Sequence, residues 1–122
     1  MAKLVADVVL DAALEYVRDN IQQISVCSSE PADWTAATSN NMLAITAIAC
    51  ADFTGPENDT SGRKITVGAK SGVSITVSGT ALYVALVSST ALLYRTACDS
   101  HLLSSGNQVN FPAWEISISD PT

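Results

Sequence analysis

Three cysteines and one histidine are the side chains with most chemistry to offer. Cys27, Cys50 and Cys98 stand far apart, and Cys98 is followed by His101 at a C-x-x-H spacing. Thiolates and a neutral imidazole suit zinc, so a Cys3His site can be drawn. Structural zinc sites bring two closely spaced ligand pairs, and only one pair exists here. An odd number of cysteines in predicted strands reads instead as free, buried thiols that pack as small hydrophobes. No disulfide pairing follows from the spacing. Asp99-Ser100-His101 holds the letters of a hydrolase triad. Triads are assembled from distant segments around an oxyanion hole, not from three neighbours. No G-x-S-x-G elbow is present. Residues 57–62 (ENDTSG), with Asp52 nearby, gather oxygen ligands. They lack the final bidentate acid that closes a calcium loop, so they read as a polar turn. The sequence therefore predicts no catalytic residue, no metal and no cofactor.

The elements that carry these residues follow from periodicity. Asp7, Asp11 and Glu15 recur every fourth residue, with Arg18 continuing the row. That spacing predicts a helix over residues 3–19 with one charged stripe, expected to be its solvated face. The remaining arc is apolar and wide, including Val5, Val8, Val9, Ala12 and Tyr16. A helix packed on a single sheet needs a narrower face, so the helix is either sunk between a sheet and a loop or packs also on a neighbouring subunit, with these five residues as the candidate interface.

Beyond Asn20 the period changes to two. Residues 24–27 make a first strand and residues 42–53 a second. Trp34, in the polar connection between them, is expected to plug the edge of the core. Residues 54–62 give the strongest turn signal in the chain. Residues 63–69 are expected to pair with residues 73–78 through a turn at Lys70-Ser71-Gly72. Residues 81–87 are apolar on both faces and should be central. Ser88-Ser89-Thr90 turns the chain into residues 91–97, and a last strand covers residues 108–119, with Pro112 marking an edge or bulge. The fold class is thus mainly β: an antiparallel sandwich or barrel of about seven strands with one N-terminal helix. Residues 1–122 form a single domain, with the helix over 3–19 and the β-sandwich over 21–119.

Composition narrows the function. Apolar residues are 48 % and charged residues 15 % of the 122, and the net charge is −6. About a quarter charged is usual. A nucleic-acid partner is excluded because it would need a basic face. A membrane span is excluded because Asp7, Asp11 and Glu15 interrupt the first apolar stretch. The same acids break up any signal-peptide core, so the chain is expected in the cytoplasm. Thirteen of the 18 charges lie in residues 1–64. The later strands rely on Ser and Thr for solubility, and neutral sheet edges pair readily with other chains.

The segments LVADVVLDAALEYVRDN, CSSEPADWTAAT, FTGPENDTSGRKITV and FPAWEISISDPT, in this order, resemble small virion proteins of tailed bacteriophages and prophages. The resemblance covers nearly the whole chain. It implies a non-enzymatic structural role, most often as a capsid decoration or cement protein, otherwise in the tail, head–tail junction or fibre base. It also implies assembly in the host cytoplasm into the virion, as a homo-oligomer beside the major capsid protein or other virion proteins. It carries no site residues. From a different class, a carbohydrate- or ligand-binding sandwich would use Trp34 and Trp114 as its platform. Trp114 shares a strand face with Ile116 and Ile118, which places it in the core instead.

Overall fold

The apolar run near residue 85 builds the centre of the molecule. In the computed structural model, which describes residues 6–59 and 62–118, β6 (Gly79–Val87) lies between β1 (Gln23–Cys27) and β7 (Leu92–Leu103). With β2 (Met42–Ala47) on the far side of β1, these make a four-stranded sheet in the order β2-β1-β6-β7. A three-stranded sheet, β3-β4-β9, uses Phe53–Asn58, Arg63–Val67 and Trp114–Ile118. A two-stranded sheet pairs β5 (Lys70–Ser74) with β8 (Gln108–Phe111). Every pairing is antiparallel. One helix, α1 (Asp7–Asn20), precedes them. The fold is mainly β and sandwich-like, with the expected N-terminal helix.

Both faces of the large sheet are covered, which is why residues 81–87 are apolar throughout. The main core joins Ile24, Val26, Leu43 and Leu86 to Ile65, Val67 and Ile116 of the second sheet. On the other face, Cys27, Ala85 and Val87 pack under residues 31–41. That segment contains a π-helical turn, Ala36–Asn40, and is pinned by the Trp34 indole donating to the Ser88 carbonyl at 3.0 Å. Trp34 is half-buried against this cluster, as a plug over the core edge should be.

Several local expectations are corrected. The described residues form nine strands, compatible with the expected number of about seven. The helix is described from Asp7 and ends at Asn20, one residue past the expected end. Residues 42–53 do not form one strand, because a 3-10 turn at Cys50–Asp52 divides β2 from β3. Of the turn expected over 54–62, residues 54–58 are strand, with an irregular register between Thr54 and Glu57, while Thr60 and Ser61 lie outside the described residues. Gly55, with φ 104°, accommodates that irregularity. Lys70-Ser71-Gly72 is the start of β5 and not a hairpin turn. Consequently β4 pairs with β3 and β9, and β5 pairs with β8. Pro112, with no N–H to donate, separates β8 from β9 where one strand was expected.

The 3-10 turn is held by a close approach of Gly68 to Asp52. The Gly68 N–H donates to the Asp52 carbonyl at 2.7 Å. A β-carbon on Gly68 would meet that same oxygen at 2.5 Å. Gly68→Ala must therefore push backbone against backbone. An expected cost of about 1–3 kcal/mol is measurable by urea unfolding.

The Asp52 carboxylate accepts from the Ala49 N–H at 2.9 Å and from Lys70 Nζ at 3.1 Å. The Ala49 hydrogen bond, then Lys70, hold this carboxyl below its ordinary value. A depressed folded value adds stability above the unfolded pKa of about 3.9 and loses it as pH falls through the lower folded value. Between pH 5 and 3, the wild-type melting temperature should fall more steeply than that of Asp52→Asn. Parallel curves would remove Asp52 as the cause.

Candidate interaction surface

The helix turns Asp11, Glu15 and Arg18 of its charged row toward the body, where they are half-buried, and leaves Asp7 exposed. Leu10 and Leu14 are buried, Val17 is half-buried, and α1 rests chiefly on β4 and β3. Asp11, expected in the solvated stripe, receives Arg63 Nε–H at 2.7 Å, with both side chains half-buried. Arg18 reaches the Gly55 carbonyl at 3.1 Å. Bonded to the Asp11 carboxylate, the Arg63 guanidinium is held above its ordinary pKa. The reason is positional: Arg63 opens β4 directly beneath the helix and supplies the counter-charge.

The opposite arc faces outward and is apolar. Val8 is 71 % exposed, Val9 58 % and Tyr16 63 %, and Ala12 and Ala13 between them are exposed as well. Four of the five candidate residues thus share one open face, and Val5 lies outside the described residues. Ala13 belongs to the same face, although the sequence pattern alone did not single it out. Asn20 and Asp19 close this patch at the C-terminal end of the helix.

The candidate reactive groups do not converge. Cys27 is buried, with its Sγ 3.8 Å from the Ala37 carbonyl. Burial raises its thiol pKa, and burial followed by the Asp99 charge raises that of Cys98. Both thiols are therefore poorer nucleophiles at neutral pH. Cys50 is exposed on the 3-10 turn and Cys98 is half-buried, correcting the expectation that all three are buried. Among the described residues, no three His, Cys, Asp or Glu side chains are placed to hold a metal ion. Asp99, Ser100 and His101 follow one another along β7, all exposed. Asn58 in the acidic segment accepts from Arg63 at 2.6 Å, and the Asp59 N–H closes a turn onto the Gly62 carbonyl at 3.2 Å.

Two abutting hollows of about 310 and 290 Å³ lie between β7 and the β8–β9 junction. They share Val84, Cys98, Phe111 and Pro112 and are mainly apolar. Trp114 at one end is half-buried and stacks on Tyr94, with centroids 5.8 Å apart and planes 28° apart. Trp34, bonded to Ser88, and Trp114 are each half-buried against a hydrophobic cluster. Comparison with protein-family models, with curated proteins and with solved structures gives no significant match.

Proposed function

We propose that this chain is a non-enzymatic structural protein of a tailed-phage particle, acting as a head decoration or cement subunit. The observation that carries the proposal is the outward face of α1. Val8, Val9, Ala12, Ala13 and Tyr16 form an apolar strip that the domain itself leaves uncovered. A helix kept only for its own core would turn such residues inward and its charges outward. This helix buries Leu10 and Leu14 on one side and still leaves a second apolar strip in water. Seating the strip on the shell surface recovers that area, and repetition over a symmetric shell converts weak contacts into firm attachment. The resemblance in the order of sequence segments agrees with this role.

Counting the chain in purified particles by quantitative mass spectrometry tests the proposal. A decoration subunit should be present in hundreds of copies per particle. About six to twelve copies, as closed rings at a tail or junction provide, would move it to the tail reading. Absence from the particle would overturn both.

A further inference from the structure

We propose that the outer edge of β7 pairs antiparallel with β7 of a second copy, about a twofold axis at Ala97. In the large sheet β7 is an end strand, and among the described residues it pairs only with β6. It is twelve residues long, about twice the usual strand. Its backbone donors and acceptors on that side form a long template for another strand.

Self-complementarity selects a copy of the same chain as the occupant. An axis at Ala97 sets Arg95 against Asp99 of the other copy twice, and Leu92 against Leu102 twice. Arg95 and Asp99 are the strand's two charged residues at neutral pH. They lie equally far from Ala97, one on each side. An axis at either charge would bring like charges face to face, which opposes pairing. Arg95 uses Nη1 on the Pro31 carbonyl and Nη2 on Glu30, so its Nε–H remains for a carboxylate across the axis. Ala97 is exposed and small, as a strand centre on a dyad requires. Leu102, 82 % exposed, is the most exposed large apolar side chain of the described residues, and the pairing covers it.

Against β6 the register of β7 is irregular on either side of Ala97. Additional residues fall between Leu92 and Tyr94 and again between Ala97 and His101. Leu92 packs into the outer cluster, and Arg95 reaches the outer segment at Pro31. Alternation then puts Ala97 on that outer face with them. Tyr94 and Leu103 point instead to the main core.

Light scattering on the purified full chain at several concentrations tests this. The wild type should give twice the 12.7 kDa chain mass. Asp99→Arg, at an exposed position, turns both cross-axis attractions into repulsions. It should weaken the dimer about ten- to a hundredfold with an unchanged circular dichroism spectrum. The double change R95E/D99R restores opposite charges and should recover the dimer. Because Arg95 also holds Glu30, a second test avoids it. Ala97→Cys, in a C50S/C98S background, should oxidise rapidly to a covalent dimer, since directly opposed Cα atoms lie within disulfide reach. A wild type monomeric at every concentration, a mass unmoved by Asp99→Arg, or no cross-link at Ala97→Cys would each overturn the proposal. The pairing is independent of the helix face: these variants change the mass of the free protein, whereas loss of the helix strip changes attachment to the particle.

Discussion

Leu14→Ala should lower the stability of the domain by about 3 kcal/mol, within the range of about 2–5 for buried leucines. Leu14 is 1 % exposed and joins the main core beside Ile65 and Val67. It is the most deeply buried side chain of α1. Truncating it leaves a void where the helix meets the second sheet, and the rigid strands beneath cannot collapse to fill it. For a domain of this size the melting temperature should fall by about 10 °C. Calorimetry would measure it. A shift of a degree or two would mean that the ion pair of Asp11 with Arg63, and not this apolar face, holds the helix in place.

Val9→Asp should do the opposite: almost nothing to stability and a great deal to attachment. Val9 is 58 % exposed and lies in the first turn of the helix. An acid there is favoured by the helix dipole, so stability should stay within about 0.5 kcal/mol of wild type. On the particle, the same change removes a buried valine worth about 1.5–3 kcal/mol and leaves a carboxylate to be desolvated. Copies per particle should drop at least tenfold (about 1.4 kcal/mol per factor of ten). Quantitative mass spectrometry of particles assembled with the variant would measure it. Unchanged occupancy with an intact fold would remove the helix strip from the attachment surface. Two residues five apart on one helix therefore separate folding from assembly.

Local patterns made part of this legible in the sequence. The helix, the central strand around Ala85, the turn after Val87 and the loop before Gln108 all announce themselves within ten residues or so. The outward apolar strip was visible as an arc too wide for one sheet. Strand partners were not visible, because β4 and β9 meet across some fifty residues and nothing local distinguishes β9 from β5 as a mate. Lys70-Ser71-Gly72 resembles a hairpin turn, yet Gly72, with φ 69°, sits within β5 at an irregular register with β8. The direction of the charged stripe depended on Arg63, 52 residues from Asp11. Periodicity fixes which residues share a face, but not which face finds a counter-charge. Cys50 misled for a similar reason: it lies between two strands, in a turn that one extended apolar pattern conceals. The β7 edge shows its self-complementarity only once its place at the end of the sheet is known.

Electron microscopy of the assembled phage particle would decide whether this chain sits on the head. The structural-protein account predicts density for this sandwich-like domain on the head, repeated with the symmetry of the shell. The Val8, Val9, Ala12 and Tyr16 face of α1 should lie against the subunit beneath it. Density for the chain absent from both head and tail, in particles from cells that express it, would contradict the account.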